Sequence, residues 1–278
     1  MTDTFPELPY NSVNKVINKN DIISIFQQYG LHTEPKNIDF YRTAMVHRSY
    51  CTRKNENFTE GNIQCPLNCL PLQEESYERY EFLGDSILGV IVATYFFNRF
   101  IDRENEGFLT KMRTKIVNGI MVAHLCSLTP LPSFVIISKQ IEANNGRDNT
   151  KIKEDLFEAF LGAMYKDFYE QQQEDSSINA LSLCETWLIN LLEENIDFTQ
   201  LILANTNFKD QFQKYFVTLH NYFPLFYELN NETTANGKIY NVCIKNDMQG
   251  IIAVGSGSSK KLAENDAAHN ALNNVGAI

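Results

Sequence analysis

Residues 77–89 read Tyr-Glu-Arg-Tyr-Glu-Phe-Leu-Gly-Asp-Ser-Ile-Leu-Gly. As a helix, the stretch sets Glu78, Glu81 and Asp85 in one stripe, because residues three, four and seven apart share a face. The stripe continues as Leu88 and Val92, and from Ile87 to Phe97 the sequence is apolar nearly all round, the pattern of a helix buried inside a domain. Carboxylates thus stand at the mouth of an apolar helix. Two like charges about 4 Å apart repel by roughly 4 kcal/mol at an effective dielectric near 20, so either they spread into water or a cation collects them. An acidic first turn is also favoured by the helix dipole alone.

A second carboxylate pair answers the first. From Lys151, the spacing of Ile152, Leu156, Phe157, Phe160, Leu161 and Met164 predicts an amphipathic helix carrying Asp155 and Glu158 one turn apart beside its apolar stripe. Both helices hold small residues, Gly84 in one and Gly162-Ala163 in the other. Glycine costs a helix interior about 1 kcal/mol relative to alanine, and its gain is close backbone approach, which would bring the two pairs together.

The 278 residues are 44% hydrophobic and 12% aromatic, enough to bury a full core in one large or two ordinary domains. The net charge of −10 is unpromising for a polyanion binder, but it is unevenly placed. From residue 207 onward six lysines meet six carboxylates, so the acidic excess lies wholly in the first 206 residues. Six cysteines are scattered without the dense spacing of a secreted disulfide scaffold, which predicts a reducing compartment. The N-terminus lacks a signal-peptide pattern, and the apolar runs fall short of the roughly 20 residues that span a bilayer, so no membrane is expected.

Helix-spaced apolar residues predict short helices over 20–29 and 39–48, the second ending at His47-Arg48-Ser49-Tyr50, where His47 is expected to be structural. Residues 51–75 lose periodicity and read as a long loop. Its Cys65 and Cys69 are spaced wider than the tight two-cysteine knuckle of most zinc sites, which favours plain thiols. A helix is expected from Glu106 to about Leu128, a Gly/Asn loop over 142–150, and a helix over 177–192, followed by a linker over 193–206. After residue 207 the period changes. A helix, three strands (225–229, 238–245, 250–255) and a helix over 259–272, with Leu262, Ala263, Ala267, Ala271 and Leu272 inward, make a small independent domain.

These residues are similar to a known family. ERYEFLGDSIL (78–88) resembles the signature of the ribonuclease III catalytic domain, and the likeness extends through His47-Arg48-Ser49-Tyr50, EGFLTKMRTKIVNG (106–119) and NGRDNTKIKEDLFEAFLGAMYKD (145–167). GSGSSKKLAENDAAHNAL (255–272) resembles the end of a double-stranded-RNA-binding domain. The resemblance implies an all-α catalytic domain over 1–195 with an insertion at about 51–75, a linker over 196–206, and an α-β-β-β-α RNA-binding domain over 207–278. It implies an endoribonuclease that hydrolyses double-stranded RNA by metal-ion catalysis, leaving 5′-phosphate and 3′-hydroxyl ends with short 3′ overhangs. Glu81, Asp85, Asp155 and Glu158 would be the catalytic, metal-holding carboxylates, with Glu78 and Glu106 auxiliary.

Four hard oxygen ligands suit Mg²⁺, with Mn²⁺ able to substitute. Two such ions about 3.5 to 4 Å apart could activate water and stabilise the leaving oxygen. One centre per chain and two strands per duplex imply a homodimer. Gln213, Lys260 and Lys261 would contact RNA, the lysines at a helix start that offers backbone donors to phosphate. Thr233-Thr234-Ala235-Asn236 replaces the family's Gly-Pro-x-His loop, which enters a minor groove, and leaves Asn236 as the donor there. The expected location is intracellular, the cytoplasm of a microbe or of a virus-infected cell. The role is expected in RNA processing or in degradation of silencing RNA. A module that sequesters duplex RNA without cutting it, and an assembly scaffold built on the same fold, are the competing readings.

Overall fold

The computed structural model describes residues 9–52, 65–100, 105–203, 208–234, 237–246 and 250–277. The chain divides into two compact units, Met1–Phe198 and Thr199–Ile278. The first is helical: α1 (Lys19–Gln28), α2 (Ile38–Ala44), α3 (Glu78–Arg99), α4 (Glu106–Val117), α5 (Gly119–Ser127), α6 (Lys139–Ala143), α7 (Thr150–Glu174) and α8 (Ala180–Asn195). A further helix, α9 (Phe198–Leu203), begins where the units meet in sequence.

Helix α7 is the axis of the first unit and packs against α2, α3, α5 and α8. Its apolar positions from Ile152 to Phe168 are buried, as their spacing predicts. Phe157 and Phe160 lie against Trp187 of α8, while Phe160 and Phe168 meet Phe26 of α1. The indole N–H of Trp187 donates to the Ile25 carbonyl at 2.9 Å, so this large ring is buried without an unsatisfied donor. Asp167, also buried, accepts from the backbone N–H groups of Lys36 and Asn37 and from the Tyr41 hydroxyl, tying the start of α2 to α7. Burial raises its pKa although all of these donors oppose the shift.

Several boundaries differ from the sequence reading. The expected helix over 106–128 is two helices broken at Asn118, whose extended backbone ends α4 and whose side chain caps α5 by accepting from Met121 N–H. The helix expected over 39–48 stops at Ala44, and Arg48–Tyr50 forms one 3₁₀ turn capped by the His47 side chain. The Gly/Asn loop holds α6 and a 3₁₀ turn, Gly146–Asp148, entered through Asn145 at φ 55°. Residues 198–203 of the expected linker are helical. Of the 51–75 loop, residues 53–64 lie outside the described set; its described end returns to the core, where Leu70 and Leu72 pack on Val46, Tyr50 and Ile136. The Cys65 thiol lies 3.4 Å from the Cys69 carbonyl and 3.3 Å from that of Leu70.

Helix α3 requires a larger correction. Gly84, Leu88, Ile91, Val92 and Phe96 are buried, but Phe82, Val90 and Phe97 are 78%, 48% and 61% exposed, so an apolar face is left uncovered. Sequence composition showed apolarity all round but not what would cover each side. At 22 residues, and with a mean hydropathy of 1.3 over its most apolar 18, α3 is also, among the described residues, the one helix long and apolar enough to cross a membrane by length and composition. Its uncharged run, between Asp85 and Arg99, is 13 residues, still short of the roughly 20 that span a bilayer.

The second unit comprises α10 (Phe208–His220), an antiparallel sheet of order β1-β2-β3 (Leu225–Thr234, Gly237–Asn246, Gly250–Gly257) and α11 (Lys260–Asn274). Its α-β-β-β-α order is the expected one. Phe212, Phe216, Ile244, Ala253, Ala267, Ala268, Ala271 and Leu272 form its core, whereas Leu262, expected inward, is exposed on the first turn of α11.

Helices α3 and α7 touch backbone to backbone. A Cβ added at Gly84 would lie 1.7 Å from the Glu158 carbonyl oxygen, and one at Gly162 would lie 2.1 Å from that of Tyr80. On an exposed helix Gly→Ala stabilises by about 1 kcal/mol. Here Gly84→Ala is expected to destabilise by about 3 kcal/mol through overpacking, read as a lower urea midpoint at unchanged m-value.

Candidate metal centre

The contact of α3 with α7 fixes the carboxylates. Glu78 and Glu81 occupy the first turn of α3, which starts without a side-chain cap. Asn149 caps α7, its side chain accepting from the N–H groups of Lys151 and Ile152, so Lys151, Glu154, Asp155 and Glu158 follow on adjoining turns of one face. Gly84 against the Glu158 carbonyl then sets Glu81 opposite that face.

One oxygen from each of Glu81, Asp155 and Glu158 lies within 4.8 Å of the others. Glu81 and Glu158 border an open cleft of about 550 Å³ lined also by Glu78, Phe82, Asp85, Lys151 and Glu154, while Asp155 lines the adjoining cavity with Glu81 and Lys151. Asp85 therefore reaches the cleft but stands outside the tight group; its charge is felt there as one cause of a raised Glu158 pKa. Glu78 lies at the rim, accepting from the Ser76 hydroxyl at 2.9 Å and 3.9 Å from Arg48. Glu106 is not brought to the cleft: it starts α4, is exposed, and accepts from the Thr110 hydroxyl at 2.8 Å.

Three residues that sequence reasoning missed complete the geometry. The Lys151 ammonium lies 2.6 Å from Asp155 Oδ1, 3.3 Å from Glu154 and 4.0 Å from Glu81. Glu154 lines the cleft and adds negative potential at Glu158. The buried Tyr77 hydroxyl donates to Asp155 Oδ2 at 3.2 Å. The signal available for Lys151 and Glu154 was their spacing from Asp155 and Glu158, three or four residues, which on a helix means the same face.

The electrostatics are those of an acidic site short of positive charge. Desolvation, then the Asp155 charge, raises Glu81 to about 7. Desolvation, then Asp85 and Glu154, raises Glu158 to about 8. The Asp155 contact, above all, holds the Lys151 ammonium above the usual lysine range. Asp155 Oδ1 is buried, and the group that answers it is the Lys151 ammonium at 2.6 Å, out of line for a regular hydrogen bond. A buried oxygen met by a single ammonium among converging carboxylates, with no nitrogen or sulfur in the set, fits a hard divalent cation. In the second unit, Lys260 and Lys261 are exposed at the start of α11 behind the Ser259 cap, and Gln213 is half-buried on α10. Lys260 lies 3.7 Å from Glu228. Asn236 lies outside the described residues.

Comparison with known proteins decides the family. Residues 37–177 match the family model described as Ribonuclease-III-like, and residues 208–275 match the double-stranded RNA binding motif. The chain belongs to the ribonuclease III family. It is an endoribonuclease of that family, with a double-stranded-RNA-binding motif. It is 30% identical over 264 residues to ribonuclease 3 of Staphylococcus epidermidis, covering 91% of this chain and 94% of that protein. It is 31% identical over 267 residues to "Probable ribonuclease 3" of Acanthamoeba polyphaga mimivirus, covering 94% of this chain but 46% of the viral protein's length. The nuclease domain of ribonuclease III from Campylobacter jejuni is similar at 26% identity with a TM-score of 0.47, covering 63% of this chain and 98% of that domain.

A raised carboxylate pKa means that the folded state binds protons more tightly than the unfolded chain does. Their stability contribution is full below the ordinary 4.5 and is lost as pH rises through about 7 for Glu81 and about 8 for Glu158. For the ribonuclease III-family centre without metal, stability is therefore expected to fall between pH 4.5 and 8, and Glu158→Gln to flatten the upper half of that fall. Chemical denaturation in EDTA across this range checks it; parallel parent and variant profiles would refute the burial argument.

Proposed function

We propose that this chain hydrolyses phosphodiester bonds of double-stranded RNA at the cleft between α3 and α7, using Mg²⁺, or Mn²⁺ in its place, held by Glu81, Asp85, Asp155 and Glu158. The observation that carries the reading is the convergence of Glu81, Asp155 and Glu158 on one point, with a buried Asp155 oxygen answered by the Lys151 ammonium. When bound, the metal supplies Lewis acidity to the scissile phosphate and a nucleophilic water at neutral pH. The protein's own part is to present charge. A divalent cation held there would favour the ionised forms of Glu81 and Glu158, its charge opposing the desolvation and like charge that raise them. Lys151, whose contact with Asp155 Oδ1 a bound cation would replace, would remain beside the cleft as a positive group facing an anionic substrate. Glu78, at the rim, is the auxiliary acid, and Glu106, away from the cleft, is given no part in it. Products carry 5′-phosphate and 3′-hydroxyl ends with short 3′ overhangs.

The partner set is duplex RNA and a second copy of the chain, with no membrane. A second copy is supported by the uncovered apolar stripe of Phe82, Val90 and Phe97, whose Phe82 also borders the cleft. Two cutting centres would then serve the two strands. The C-terminal unit holds the duplex through Lys260, Lys261, Gln213 and Asn236. The location is intracellular, the cytoplasm of a microbe or of a virus-infected host cell, in RNA processing or degradation of silencing RNA.

The test is Glu158→Gln, which nearly keeps the shape but removes one negative charge from the site. Cleavage of a labelled duplex is expected to fall by at least about 100-fold in Mg²⁺, with fold and duplex binding retained and partial rescue by high Mn²⁺. A variant that cuts like the parent at every Mg²⁺ concentration refutes the metal reading; a parent that binds duplex without cutting supports the sequestering module instead.

Lys260→Ala with Lys261→Ala is expected to weaken duplex binding and to lower the slope of log affinity against log salt by about 1 to 2, because fewer counterions are released. Titrations at two salt concentrations measure it, and an unchanged slope would place the contact elsewhere.

A further inference from the structure

Asp155 faces two ways, with one oxygen held in the interior and the other turned to a cation, at present the Lys151 ammonium. Oδ2 accepts the Tyr77 hydroxyl at 3.2 Å in the interior, while Oδ1 meets Lys151 and no aligned donor. The terminal torsion of an aspartate is broad, so nothing in the side chain itself sets the angle at which the carboxylate plane meets the cleft. We propose that Tyr77 is a positioning residue of the metal centre: its hydroxyl fixes the Asp155 carboxylate so that Oδ1 is presented to the cation before the cation arrives.

Tyr77 is equipped for this because it is held at several points. It is 2% exposed, immediately before α3. Its N–H donates to the Val46 carbonyl at 2.8 Å, and Val46 is itself bridged to Ile136, with His47 N–H on the Ile136 carbonyl at 3.0 Å and Ile136 N–H on the Met45 carbonyl at 2.8 Å. The His47 ring meets the Tyr77 ring edge-on at 5.7 Å. His47 is fixed in turn, its Nδ1 accepting from Ser49 N–H at 3.1 Å and lying 2.8 Å from the Ser49 hydroxyl oxygen, which accepts from Ser138 N–H at 3.0 Å. The hydroxyl is thus delivered by a scaffold that contains no carboxylate of the cleft. His47, Tyr77, Lys151 and Asp155 also line one cavity of about 370 Å³ beside the cleft. Partners that orient a ligating side chain are commonly needed for about 10- to 100-fold in metal affinity.

The inference rests on the metal-site reading above, and the experiment separates the two. Mn²⁺ is titrated into the metal-free full chain and the free ion counted by electron paramagnetic resonance, for the parent, Tyr77→Phe, Tyr50→Phe and Asp155→Asn. Tyr77→Phe keeps the ring and removes one hydroxyl. Tyr50→Phe does the same to another buried tyrosine, whose hydroxyl donates to the Leu70 carbonyl at 2.8 Å away from the cleft. Expected is an Mn²⁺ dissociation constant about tenfold higher for Tyr77→Phe, unchanged for Tyr50→Phe and more strongly raised for Asp155→Asn, with circular dichroism and metal-free duplex binding as in the parent. Equal losses in both tyrosine variants would make the effect one of general stability and overturn the proposal. Parent-like binding in Tyr77→Phe with loss in Asp155→Asn would overturn it while leaving the metal centre standing. Parent-like binding in all three variants would sink both readings.

Discussion

The backbone contact between α3 and α7 is the constraint on which the nuclease-like unit depends. Carboxylates on two helices can meet only if the helix axes come close, and ordinary side chains at the crossing would hold them apart. Gly84 against the Glu158 carbonyl and Gly162 against that of Tyr80 remove that obstacle. The glycines belong to the same turns as the acids: Gly84 lies between Glu81 and Asp85, and Gly162 one turn after Glu158. Packing and chemistry are therefore set by one short piece of each helix, and neither can drift without the other.

That closeness has an electrostatic cost, answered by a division of labour. Asp155 is paired on both sides, by Tyr77 and Lys151, whereas Glu81 and Glu158 meet mainly like charge and burial and are pushed upward. A site of this kind sits in an acidic unit and must attract an anionic substrate. The neutral C-terminal unit, with its exposed lysines at the start of α11, offers the complementary surface.

Much of this was legible in the residues. The 3.6-residue period of 77–97 and 151–164 showed two apolar helices with acids on them, and the paired glycines showed where they could touch. The change of period after residue 207 marked the small α-β-β-β-α unit. Less was legible where the outcome depends on neighbours. Apolarity all round α3 from Ile87 to Phe97 looks the same whether a flank is covered by protein or left open, so Val90 and Phe97 read as buried. Lys151 reads as an ordinary solvated lysine until its helix is set beside Glu81. Tyr77 has no helical partner at all, since Asp155 lies 78 residues away in the chain. The break at Asn118 had a local signal, the Asn-Gly pair at 118–119, which the strong apolar period on both sides masked.

Lys151 has a further consequence for the life of the protein before it meets metal. A dissolved counterion exchanges with the medium and can be dialysed away. An ammonium anchored four residues from Asp155 cannot, and its local concentration is set by the length of its own side chain. The acid cluster therefore carries a resident counter-charge from the moment α7 forms. Any cation that enters the cleft thus displaces an ammonium from Asp155 Oδ1 rather than filling a bare oxygen.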